Sequence, residues 1–190
     1  MLAPKKFIIG LTSTTRGKGK LNATQAAAWL NEKLGIPKDS LLITSGLIEQ
    51  GDTRKVYGLF QVVMDSLTGE LLPLISLSEL SGEGVEYHEA FHYVSQLLLT
   101  EDQRTQLYQA YVDGKKEHAD KTTSEVEELL AEEFRNYALD RNRSNLKYKV
   151  ITFFKDLWFT LTVWNKNKRA IRALFKSINN GDFKTLKPKD

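Results

Sequence analysis

The chain contains no cysteine. Disulfides, thiolate metal sites, iron–sulfur clusters and a cysteine nucleophile are therefore excluded. Histidine is scarce: His88, His92 and His118 are the three in the chain, so any imidazole metal site must draw on them. The opening MLAPKKF lacks the apolar core and cleavage pattern of a secretory signal. No uncharged apolar run reaches the ~18 residues that a membrane-spanning helix needs. The pair Gly17-Lys18 does not complete a phosphate-binding loop, because Gly10 lies too far upstream and Gly19 follows the lysine. Internal repeats and low-complexity tracts are also missing.

What is present suits one domain with an appendage. Of 190 residues, 41% are apolar or aromatic, enough for a sizeable core. Charge is unevenly spread: residues 141–190 hold 13 of the 27 Lys/Arg but only 3 of the 24 Asp/Glu. The first 140 residues are therefore acidic on balance, and the expected division is a body at 1–140 and a basic helical extension at 141–190, packed on the body or tethered to it. A surface for a protein partner, nucleic acid or a membrane is a secondary reading of that extension. Its segment 150–164, which includes Phe153, Phe154, Trp158 and Phe159, reads as a core-packed helix.

Local patterns divide the body into a β-containing first half and a helical second half. Phe7–Leu11 and Leu41–Thr44 are predicted strands. Asn22 and Gln25 form a capping signal for a helix that Gly35 stops. Val56–Asp65 and Glu70–Leu77 flank the turn Ser66-Leu67-Thr68-Gly69 as a hairpin, and Pro73 marks its second arm as an edge strand. Helices are predicted at 85–99, from the Thr100–Gln103 capping box to near Gly114, from a cap at Ser124–Glu127 to Leu139, and at 168–179 ending at Gly181.

Residues 88–92 read His-Glu-Ala-Phe-His, the pattern HExxH. On a helix, positions i and i+4 share a face, so both imidazoles can bind one metal ion, with Glu89 placed to act on its bound water. Two neutral nitrogen ligands suit zinc, and a catalytic zinc site needs a third protein ligand. The extension HExxHxxGxxH is absent, which leaves a carboxylate or His118. His118 lies in the polar stretch DGKKEHADK and reads as solvent-exposed. Residues 125–135 read EVEELLAEEFR, a carboxylate cluster on a predicted helix. On a helical wheel Val126, Leu130, Phe134 and Tyr137 centre an apolar face. Glu128 and Glu132 share the opposite side, while Glu127 and Glu133 fall within the apolar arc and remain alternatives for an inward carboxylate.

The HExxH motif followed by Glu128-Leu129-Leu130-Ala131-Glu132-Glu133-Phe134 resembles the gluzincin metallopeptidases, in which a second helix supplies a glutamate ligand within ExxA. This resemblance covers about residues 84–140. It implies an α+β zincin-like fold with a small N-terminal sheet. It also implies zinc held by His88, His92 and Glu128, Glu89 as general base, and Glu132 as a carboxylate orienting a ligand histidine. The longer stretch YHEAFHYVSQLLLTEDQR…EELLAEEFRNYA, with the basic tail, resembles metallopeptidase-like segments of polyvalent proteins of tailed phages and prophages. The activity implied is zinc-dependent hydrolysis of peptide bonds in a protein or peptide substrate. The setting implied is the host cytoplasm or the virion, in a larger phage assembly. The extended substrate is expected to pair with an edge strand, an arm of the 56–77 hairpin.

Overall fold

The computed structural model describes residues 5–13, 19–50, 54–66, 68–113, 115–139 and 168–184. They form a mixed α+β fold with a four-stranded sheet and five α-helices. The strands are β1 (Lys5–Ser13), β2 (Leu41–Thr44), β3 (Ile48–Gln50), β4 (Arg54–Val56), β5 (Gly58–Asp65) and β6 (Leu71–Ser78). The helices are α1 (Ala23–Leu34), α2 (Val85–Tyr93), α3 (Glu101–Asp113), α4 (Thr123–Leu139) and α5 (Lys168–Asn180), with a π-helical turn at Val94–Leu98 after α2. The main sheet has the order β1-β5-β6-β2, and β3 and β4 form a separate two-stranded ribbon. Among the described residues, no helix is long and apolar enough to cross a membrane.

Helix ends follow their capping chemistry. The Asn22 side chain accepts from Gln25 N–H at 3.1 Å, and Gly35, at φ 69°, closes α1 with its N–H on Asn31 O. The left-handed conformation there suits glycine, as the sequence predicts. Thr100 and Gln103 form the expected reciprocal box at the start of α3. The start of α4 differs from expectation. Thr122 and Glu125 exchange the capping bonds, at 2.8 Å and 3.3 Å, so the cap stands ahead of Ser124 and the helix begins at Thr123.

The hairpin forms, but neither of its arms is an edge of the sheet. β5 pairs with both β1 and β6, and β6 pairs with both β5 and β2. The Pro73 signal has a different cause. Asp65 N–H donates to Glu70 O, and the antiparallel alternation from that pair makes Val62–Pro73 a non-hydrogen-bonded pair. The missing donor of Pro73 therefore faces away from β5. On that side β2 pairs only with Ile75–Ser78, so no ladder bond is lost. Among the described residues, the edges are β1 and β2.

One apolar core lies between the sheet and the helices. It joins Phe60, Val62, Ile75 and Leu77 of the sheet to Leu30 of α1, Phe91 of α2, Tyr111 of α3 and Leu130 and Phe134 of α4. Leu174, Phe175 and Ile178 of α5 belong to the same core, and Phe91 and Phe134 ring centroids lie 5.9 Å and 5.3 Å from that of Phe175. The helical stretch 168–180 of the expected extension is thus packed into the body. The expected linker at 141–149 and the aromatic segment 150–164 lie outside the described residues.

Candidate metal centre

Helix α2 crosses the inner face of the sheet, packing against β1, β5 and β6 and against α4. This placement buries the whole HExxH segment: His88 is 4% exposed, and Glu89 and His92 are fully enclosed. Helical spacing stacks the two imidazoles, with ring centroids 4.8 Å apart. Phe60 of β5 lies along His92 in near-parallel orientation, at 6.3 Å.

α4 brings Glu128 to this pair. His88 Nε2 lies 3.2 Å from Glu128 Oε2, and His92 Nε2 lies 3.6 Å from Glu128 Oε1. Ligand atoms of His88, His92 and Glu128 all fall within 4.8 Å of one another, so the three side chains could hold a metal ion. The donor atoms fit that role. His92 Nε2 is buried without a hydrogen-bond partner, as an imidazole nitrogen directed at a metal ion would be. Burial holds His88 down to about 4, which keeps its imidazole in the neutral, ligating form at neutral pH. Burial pushes the Glu128 carboxyl up, but the hydrogen bond from His88 and the electrostatic pull of the two neighbouring imidazoles outweigh it and hold the group below its ordinary range. The Glu128 side chain keeps 34% exposure, which opens the centre on that side.

The Glu89 carboxylate lies against the sheet at Gly58 and close enough to Glu128 to feel its charge. Both carboxylate oxygens are fully buried. Burial, reinforced by the charge of Glu128, raises its carboxyl well above the usual carboxylate range. The carboxylate fits because β5 has a glycine there: a Cβ on Gly58 would lie 2.2 Å from Glu89 Oε1 and 2.9 Å from Val85 Cγ2.

The residues around the ligands depart from expectation. Glu132 stands 3.9 Å from His88 Nδ1, too far for a hydrogen bond, and its carboxylate pairs with Arg135. The carboxylate that meets a histidine of the cluster is Glu127, whose Oε1 lies 3.1 Å from His92 Nδ1. Glu127 is therefore an inward carboxylate, as its place in the apolar arc allows, but it supports a histidine from behind. Glu133 instead pairs with Lys115 and accepts from Tyr111. His118 is half-buried, not solvent-exposed, and stacks on Tyr111 at 5.3 Å with rings 10° apart. It is not among the clustered ligand atoms.

Gly58, Gln96 and Tyr108 complete the surroundings, and sequence reasoning passed over all three. Gln96 had a signal: it follows His92 by one helical turn, on the stripe that carries both histidines. Gly58 and Tyr108 had none, because their roles arise from contacts between distant segments. No protein-family model, no curated protein and no solved structure matches the chain.

Proposed function

We propose that the protein is a zinc-dependent peptidase of zincin-like build, with His88, His92 and Glu128 as the metal ligands. The observation that carries this reading is that ligand atoms of His88, His92 and Glu128 all lie within 4.8 Å of one another, with a buried Glu89 on the same helix as the histidines. Zinc is the metal that suits two neutral imidazoles and a carboxylate, and three protein ligands leave a position open for substrate. When bound, it would polarise the scissile carbonyl and acidify water.

Glu89 supplies the proton transfers. A carboxylate with an elevated proton affinity is suited to take the proton of an attacking water and pass it to the leaving amine. His88 and His92, both buried, would hold the metal, and the partly exposed Glu128 side leaves room for a substrate.

The substrate strand has a place at β1. Ser78 N–H donates to Tyr57 O, so odd-numbered residues of β5 face β6 and even-numbered ones face β1. Ser13 and Leu11 then pair with Gly58 and Phe60, and Thr12 and Gly10 turn their backbone groups to the open edge. The Thr12 amide lies close enough to Glu128 to lower its carboxyl, which sets this edge beside the metal ligands. An extended peptide adding to β1 would therefore pass the centre.

The test is hydrolysis of an unfolded protein substrate by the purified chain. Activity should vanish with a chelator, return with zinc, and be lost in Glu89→Gln while zinc binding is kept. Hydrolysis surviving in Glu89→Gln would refute the mechanism.

A further inference from the structure

Behind His92 lies a buried polar network that the ligand set does not use. Glu127, 2% exposed, receives three side chains from three different elements. His92 Nδ1 of α2 lies 3.1 Å from its Oε1, Tyr108 of α3 donates its hydroxyl to Oε2 at 2.6 Å, and Gln96 of the π-helical turn also donates to Oε2. Tyr108 OH lies 2.8 Å from Ser95 Oγ in the same turn.

The proton directions follow from the donor inventory. A phenol has one O–H, and Tyr108 spends it on Glu127, so Ser95 must donate to Tyr108. Gln96 meets Glu127 through its amide nitrogen, which can only donate. With its Oε2 saturated by two donors, Glu127 acts as an acceptor throughout, and its Oε1 calls for a proton on His92 Nδ1. The nitrogen left without a proton is Nε2, the one buried beside Glu128 with no hydrogen-bond partner.

We propose that Glu127, Tyr108 and Gln96 are positioning residues that lock His92 in the Nδ1–H tautomer and so present its Nε2 lone pair to the metal. This rests on the metal-centre reading above and adds a dependence of the centre on α3. The π-helical turn places Ser95 and Gln96 in the network, a use consistent with the tendency of such turns to occur at functional sites. Because Tyr108 comes from α3, a firmly held His92 requires α3 to be docked. A carboxylate behind a ligand histidine fixes ring orientation and raises ligand basicity.

The test has two readouts on the full chain. Long-range proton–nitrogen NMR of the metal-free protein at neutral pH should show His92 protonated on Nδ1. Zinc affinity, measured by competition with a chromophoric chelator, should fall about 10–100-fold in Glu127→Gln. In Tyr108→Phe, which keeps the ring and the packing, it should fall several-fold. The Nε2–H tautomer in the wild type would overturn the proposal, and so would unchanged zinc affinity in both variants; either result leaves the metal centre itself standing. A wild-type chain that binds no zinc would overturn the metal reading and this proposal with it. The tautomer measurement needs no variant, so it decides even if Glu127→Gln fails to fold.

Discussion

Gly58 and Glu89 share a space that only one side chain can occupy. A Cβ at position 58 would stand 2.2 Å from the Glu89 carboxylate, far inside contact distance. The strand residue opposite α2 is thereby tied to the orientation of Glu89, the proposed general base, although the two are 31 positions apart in the sequence. Gly58→Ala should displace Glu89 and lower kcat by 10-fold or more on the scale of misplaced catalytic groups, about 10–100-fold. Zinc content should stay near the wild-type level. Steady-state kinetics with metal analysis checks this, and unchanged kcat would show that Glu89 is not held by this contact.

The ionisation of Glu89 gives a pH signature. Its carboxyl is raised by burial above its ordinary value of 4.5, so above about pH 4.5 the unfolded chain releases a proton that the folded chain retains. The unfolded state then binds fewer protons, and this group makes stability fall as pH rises. His88 acts in the opposite sense between about 4 and 6.5, where the unfolded chain holds a proton that the buried imidazole lacks. Its contribution makes stability rise with pH over that window and then level off. In the metal-free protein, Glu89→Gln should therefore gain stability relative to wild type as pH is raised from 4.5. Thermal unfolding at a series of pH values measures the difference, and a pH-independent difference would contradict the burial account.

The packing of α5 makes a separate prediction. Phe175 is 3% exposed and contacts Phe91 on the HExxH helix and Phe134 on the helix that carries Glu128. Phe175→Ala should cost about 3–5 kcal/mol of stability through loss of buried surface and the cavity left behind. Denaturant unfolding tests this. A cost below about 1 kcal/mol would mean that α5 is an appendage rather than part of the core.

The histidine pair was legible because helical geometry is local: His88 and His92 stand at i and i+4. Glu128 was expected only from the ExxA resemblance, and the structure brings the three side chains together as a group that could hold a metal ion. The α+β composition was legible for the same reason, since strand and helix periodicities and caps are read within a few residues. The edge of the sheet was not. Pro73 is a local cue, and its meaning depended on how far β2 runs alongside β6. Nor could the wheel divide the glutamates of α4. It placed Glu127 inward and Glu128 outward, yet both reach the histidines of α2. The same limit applies to Glu132, whose expected bond to a histidine is replaced by Arg135, one turn along its own helix. Tyr108 reads as one more core aromatic until α3 is folded against α4.

The central claim is a metal ion on His88, His92 and Glu128, and its most direct test is the metal content of the purified protein. Elemental analysis should find about one zinc per chain in the wild type after zinc is supplied and excess removed, and neither His88→Ala nor Glu128→Ala should retain it. Zinc retained in Glu128→Ala would contradict the ligand set, and a wild-type chain that takes up no metal would contradict the account as a whole.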